Sequence, residues 1–250
     1  MIEMAGKMLL GGVWGGRVDA FDLHVSMVQE CWRRLAYLGL DPTVAPWHII
    51  SDECDPSLTL DTPERLIDAM DLASFGGRSG LYTFTTRDLT DFSKSFAPYM
   101  NLNVFINHPR GRANGPANTV QIRFEPGLGA TGQVGWPASH ILASGNQMVK
   151  DIVDVWHPES AYLCSSALIC AAPSGPHPIL GLVNWLSDTV VDPLELPRTH
   201  ARERYAGGTL IGVDPDGPDP ISDTKELASS IYDAKILKPL PIIQGQPDPA

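Results

Sequence analysis

Apolar residues recur at steps of three and four from Phe21 to Leu38, taking in Val25, Val28, Trp32 and Leu35. That spacing puts them on one stripe of an α-helix and leaves polar residues on the opposite face. Asp19 and Asp22 offer carboxylates to the unpaired amides of the first turn, and Arg33 and Arg34 suit the last turn. Gly39 followed by Asp41-Pro42 stops the helix. Strand-like segments at Val13 and at Trp47 to Ser51 bracket it, so the stretch from Val13 to Trp47 reads strand, helix, strand. A second helix opens at Thr62-Pro63-Glu64, with Pro at the first helical position, turns Leu66, Ile67, Met70 and Ala73 inward and ends at Gly76-Gly77.

The remaining pattern adds strands and two further long helices. Lys7 to Val13 predicts the first strand, where Gly11, Gly12, Gly15 and Gly16 around Trp14 let the backbone bend or approach a neighbour closely. Gly80 to Thr86 alternates, and Leu102, Val104 and Ile106 alternate against Asn101, Asn103 and Phe105. Val120, Ile122 and Phe124 alternate again across a Gly/Asn/Pro-rich loop, which predicts an antiparallel hairpin. Ser139 to Val155 predicts a helix in phase despite Gly145, and Ala161 to Ile169 a strand buried on both faces. Leu180 to Leu186 is expected to be a short helix containing Trp185, followed by a polar connector with Arg198, Arg202 and Arg204. Gly208 to Val213 is strand-like, and Ser222 caps a last helix running to Leu237 with Leu227, Ile231 and Ile236 inward. These elements predict an α+β fold, a mostly antiparallel sheet flanked by several helices, in one compact domain over residues 1–238. Residues 239–250 form a Pro- and Gln-rich tail expected to be poorly ordered.

Ser160 to Ser187 holds no Asp, Glu, Lys or Arg, yet Pro173, Gly175, Pro176 and Pro178 break it, so no spanning helix and no membrane partner are expected. The N-terminus offers no signal-peptide core, which makes a cytoplasmic protein the expectation. Cys31, Cys54, Cys164 and Cys170 form no CxxC pair and are expected to be reduced, buried thiols.

Charge narrows the function. Eighteen Lys plus Arg against twenty-nine Asp plus Glu argue against direct nucleic-acid binding, which requires cationic neutralisation of phosphate. Seven histidines show no HExxH and no ligand spacing with cysteine, and the glycines fit no phosphate loop, so neither metal nor cofactor is expected. There is no G-x-S-x-G elbow. Asp214-Pro215-Asp216-Gly217-Pro218-Asp219 departs from a calcium loop in its glycine and proline positions and reads as an acidic turn. His108, Arg110 and Arg112 lie at the tip of the predicted hairpin. A small hydrolase or transferase would have to assemble its site from distant residues such as His108, Asp154 and His157. No catalytic constellation is apparent.

Acid is unevenly distributed. From Asp41 to Asp71, eight carboxylates face the single base Arg65, and Asp214, Asp216, Asp219 and Asp223 precede Lys225. Such blocks suit a basic protein partner. The candidate partner-binding residues are therefore Asp52, Glu53, Asp55, Asp214, Asp216 and Asp219.

The order of the tryptophan-bearing motifs resembles that of the immunity protein 52 family. The motifs are Trp14-Gly15-Gly16-Arg17, Glu30-Cys31-Trp32-Arg33-Arg34-Leu35, Leu40-Asp41-Pro42 with Trp47, Val155-Trp156-His157-Pro158-Glu159, Gly181-Leu182-Val183-Asn184-Trp185-Leu186 and Leu196-Pro197. The resemblance spans most of residues 8–237. It implies an antitoxin encoded beside a bacterial polymorphic toxin, usually a restriction-endonuclease-fold nuclease delivered by type VI secretion, that is not an enzyme and protects its producer by stoichiometric binding. An effector adaptor or chaperone is the alternative within secretion, and homo-oligomerisation stays open. Trp14, Trp32, Trp47, Trp156 and Trp185 are expected in the core rather than at the interface, and Arg17 is expected to pair with a carboxylate inside the fold.

Overall fold

The structure is a computed structural model that describes residues 7–15, 21–38, 47–73, 80–87, 89–90, 99–106, 118–125, 127–129, 132–134, 138–166 and 177–240. Strand β1 (Met8–Trp14) is buried along its whole length between β5 (Asn118–Glu125) and β8 (Ser160–Ser165), both antiparallel to it. Beyond β5 come β4 (Tyr99–Ile106), β3 (Gly80–Thr85) and the short edge strand β2 (His48–Ile49). Beyond β8 come β9 (Val183–Ser187), β11 (Gly208–Gly212) and the other edge, β10 (Ala201–Tyr205). The result is one nine-stranded antiparallel sheet, with a separate two-stranded ribbon of β6 (Gly127–Gly129) and β7 (Gly132–Val134). The α+β expectation holds, including the central hairpin, in which Leu102 lies opposite Ile122 and Val104 opposite Val120.

Helices cover one face of the sheet. Helix α4 (Gly145–Trp156) packs on β1, β8 and β9, α1 (Phe21–Arg34) packs against α4 and α2 (Pro63–Ala73), and α2 reaches β3. The contact of α4 with the sheet is close because two glycines meet it. A Cβ on Gly12 would stand 2.9 Å from Ile152 Cγ2, and one on Gly145 would stand 2.9 Å from Leu163 Cδ2. Here the expectation of a close approach at Gly12 is met, and Trp14 lies against Trp156 with ring centroids 5.7 Å apart. On the other side of α1, Trp32 stacks on Trp47 at 5.1 Å and meets Phe84 of β3 edge-on. All five tryptophans expected in the core are buried.

The opposite face is covered at the β8–β9 end. Gly181 passes directly over Cys164, and helix α5 (Pro220–Asp233) is tied to that crossing by Tyr232, whose hydroxyl donates to Pro178 O and accepts from Leu180 N. Leu227 and Ile231 are fully buried, as expected.

Several expectations are corrected. Residues Leu180 to Leu186 form no helix: Val183–Ser187 is a buried strand between β8 and β11. A short apolar run has no readable period, and the sheet supplies backbone partners on both sides. Asn184 pins this strand, accepting from Gly181 N and donating to the carbonyls of Gly181 and Ile211. The connector with Arg202 and Arg204 is edge strand β10, whose charged exposed face carries no apolar alternation; Arg198 lies just before it. The helix expected over residues 139–155 is broken at Ser144 into α3 (Ala138–Ala143) and α4. Helix α1 stops at Arg34 and continues to Leu38 only as a 3₁₀ turn. Ile67 is 42% exposed, and Ala69 takes the inward place on α2. The last helix is capped by Asp219, which accepts from Ser222 N at 3.0 Å, and not by Ser222, because Pro220 sets the first turn two residues earlier. Leu240 is buried, so the core reaches into the segment expected to be a tail. Asp19, Arg17, Gly39, Gly76-Gly77, His108, Arg110, Arg112, Cys170 and residues 241–250 lie outside the described residues.

Two backbone features generate predictions. Ala206 and Gly207, at φ 45° and 74°, form the two-residue turn between β10 and β11. A left-handed backbone disfavours alanine, and Asn-Gly is the preferred pair at such a turn. Ala206→Asn is expected to stabilise the protein by about 1 kcal/mol, read as a raised urea midpoint with unchanged m-value. Gly12→Val is expected to cost about 2–3 kcal/mol by pushing α4 off the sheet; an unchanged midpoint would show that the approach is relaxed.

Candidate interaction surface

Residues Asp52, Glu53 and Asp55 sit in the exposed turn that follows β2. Asp55 fixes its shape by accepting from Ser57 N at 2.8 Å and Ser57 Oγ at 2.7 Å, and these donors hold its carboxyl below the usual range. The turn is tied to α2, since Cys54 is buried and its thiol donates to Ala69 O at 3.6 Å. Carboxylates Asp61, Glu64, Asp68 and Asp71 are also exposed here, and the one base, Arg65, bonds Asp61 at 2.7 Å.

Asp214, Asp216 and Asp219 are exposed at the opposite end, between β11 and α5. Two of them have local work: Asp214 accepts from Asp216 N and Asp219 caps α5. Seven strand-to-strand steps separate β11 from β2, or roughly 30 Å at ~4.8 Å per step. The fold thus unites each trio of candidate residues and separates the two trios.

A third feature was not legible from sequence. Arg34, at the end of α1, donates to Glu30 Oε1 at 2.8 Å and to Asp154 Oδ2 at 2.7 Å, and lies 3.6 Å from Asp151 Oδ1. Tyr205 of β10 donates to Asp154 Oδ1 at 2.7 Å, while Tyr37 and Gln147 donate to Asp151. The network joins α1, the 3₁₀ turn, α4 and β10. Its members are far apart in sequence, and only the Glu30–Arg34 spacing of four hints at it. Hydrogen bonds from Arg33 and Arg34 lower the Glu30 pKa to about 2, whereas burial raises that of Asp151. Burial, then the bond to Asp154, pushes Tyr205 up to about 12. Burial likewise raises Cys31 and Cys164 to about 12, and with Cys54 these thiols are free and buried, as expected.

A groove of about 430 Å³ opens beside this network, lined by Leu23, Met27, Glu30, Arg34, Asp154 and His157 among others. It holds two of the three residues considered for a hydrolase. Both oxygens of Asp154 are engaged, one by the Arg34 guanidinium and one by the Tyr205 hydroxyl, so it ties α4 to α1 and β10. Among the described residues no group of three or more His, Cys, Asp or Glu could hold a metal ion, and no helix is long and apolar enough to cross a membrane.

No protein-family model matches the chain, and no curated protein matches its sequence. Among solved structures it is similar to the Pseudomonas aeruginosa T6SS protein PA0821, at 14% sequence identity and a TM-score of 0.54, over 97% of this chain and 78% of that one. The fold is shared with a type VI secretion protein. At this identity the likeness extends to backbone architecture and transfers no residue roles, so the surface features must be weighed on their own chemistry.

The network's two shifted acids act in opposite directions. Glu30 contributes stability above its ordinary pKa that is lost as pH falls from about 4.5 toward about 2. Asp151, raised in the folded state, binds its proton more tightly there than in the unfolded chain, so stability falls as pH rises through its window. Asp151→Asn is expected to remove that second slope while Glu30→Gln removes the acid-side loss, as read from urea midpoints across pH. Arg34→Met, which strands Asp154, is expected to cost about 2 kcal/mol at neutral pH.

Proposed function

We propose that this chain is an immunity protein that binds and neutralises a cognate secreted toxin, a nuclease delivered by type VI secretion, in its producer's cytoplasm. It acts by stoichiometric contact and not by catalysis. The observation that carries this reading is the fold shared over 97% of the chain with a T6SS protein. Two further features support it. The tryptophan motifs resemble those of immunity protein 52, and acid exceeds base by eleven charges. A nuclease must present cations to bind phosphate, so a carboxylate-rich protein complements the surface that the toxin uses on its substrate. Complementary fields also speed encounter, by roughly ten- to a thousandfold, which favours capture of a toxin before it reaches DNA.

Co-expression in a susceptible bacterium with the product of an adjacent toxin-like gene tests the proposal. The expected outcome is survival together with a stable complex that co-purifies. Death despite abundant soluble protein, with no complex, overturns that pairing. An adaptor would bind the full-length effector but not its isolated toxin domain, so pull-down with that domain separates the two roles.

A further inference from the structure

Seven large apolar side chains are exposed among the described residues, and two of them, Ile67 at 42% and Leu72 at 56%, stand on α2. Their placement is patterned. Residues Glu64, Asp68 and Asp71, spaced by four and three, form one stripe down the outward side of the helix, opposite the buried Leu66, Ala69, Met70 and Ala73. At about 100° per residue, Ile67 falls on one flank of that stripe and Leu72 on the other. The helix therefore shows solvent a band of carboxylate edged on both sides by apolar surface. A helix face serving solubility alone has no need of the two flanks, whereas binding surfaces combine apolar anchors with a polar surround.

Two neighbouring features extend this face. The Cys54 thiol bonded to Ala69 O brings the Asp52, Glu53 and Asp55 turn against the helix. At the helix N-terminus a cavity of about 290 Å³ lies between α1 and α2, walled by Trp32, Ala36, Leu60 and Pro63, with Asp61 at its side and Arg33, which is paired with Glu30, at its rim. It is large enough for one apolar side chain. Over residues 47–73 the sole Lys or Arg is Arg65, and it is already bonded to Asp61.

The loop at the far end differs. No large apolar side chain is exposed between residues 214 and 223, so its carboxylates have no apolar flanks.

We infer that the outward face of α2 with the 52–55 turn is the docking surface for a basic protein partner, and that the 214–219 loop lies outside it. This rests on the toxin-binding reading for the partner's identity. Lysine and arginine side chains of the partner lie along the carboxylate band, their aliphatic stems cover Ile67 and Leu72, and an apolar side chain enters the cavity beside Trp32. Charge selects this occupant, because a second copy of the chain would set carboxylates against carboxylates.

The test uses the full chain and a catalytically inactivated toxin domain. Three variants are compared with wild type by calorimetry at low salt: Glu64→Lys with Asp68→Lys, Ile67→Ser with Leu72→Ser, and Asp214→Lys with Asp216→Lys. The first is expected to weaken binding by roughly a hundredfold or more, with the deficit shrinking as salt rises, and the second by roughly tenfold. The third should stay within roughly threefold of wild type. All the substituted residues are exposed, and thermal melts confirm that each variant is folded. Wild-type affinity in the first variant, or a loss confined to the third, overturns the assignment. If wild type binds no toxin domain, the toxin reading fails on its own, and the surface is then probed with a short synthetic amphipathic lysine/leucine peptide. Slowed amide exchange over residues 52–72 supports the docking face; protection elsewhere, or none, overturns it.

Discussion

The close seating of α4 on β1 and β8 is the constraint on which the other layers depend. Without side chains at Gly12 and Gly145, Ile152 and Leu163 reach the opposing backbone, and Trp156 comes into contact with Trp14. The position of α4 fixes Asp151 and Asp154, those carboxylates fix Arg34, and Arg34 fixes the end of α1. Helix α1 then presents Trp32 to Trp47 and Phe84, where the sheet narrows to β2. One helix-to-sheet distance is transmitted in this way through a salt-bridged seam and a ring stack to the end of the molecule that bears α2 and the Asp52 turn.

How far the sequence could be read depended on whether each element kept a period of its own. Helices α1 and α2 and strands β4 and β5 each have one buried and one wetter face, so their spacing is visible. Strand β9 is buried on both sides and β10 is charged and exposed, and neither alternates, so neither carries a strand signature in the sequence. Break and cap positions depend on backbone geometry, as at Ser144, after which α4 begins with the glycine that packs on Leu163, and at the last helix, where Asp219 and not Ser222 takes the cap.

Legibility of the surface followed the same logic. The acidic blocks could be counted along the chain, but their separation by most of the sheet could not, because it follows from strand order. Spacing of Glu64, Asp68 and Asp71 by four and three places them on one stripe of a helix and is available in the sequence, whereas the Cys54 contact that brings the Asp52 turn against that helix is not. Pairing of Asp154 with Arg34 across 120 residues had no such local signature. Ion pairs of that kind are made by tertiary approach, and only the fold reveals that Asp154 is occupied.

Strand β10 ends the sheet with Ala-Arg-Glu-Arg-Tyr, its Glu203 held by Lys150 and its Arg204 by Asp188. Were a second copy to add itself antiparallel about Glu203, Glu would meet Glu and each Arg202 would meet an Arg204, so growth by strand addition is penalised at the three central rungs. The sheet is thereby given a terminus. High local concentration then favours dispersed single sheets over ribbons that lengthen by this edge.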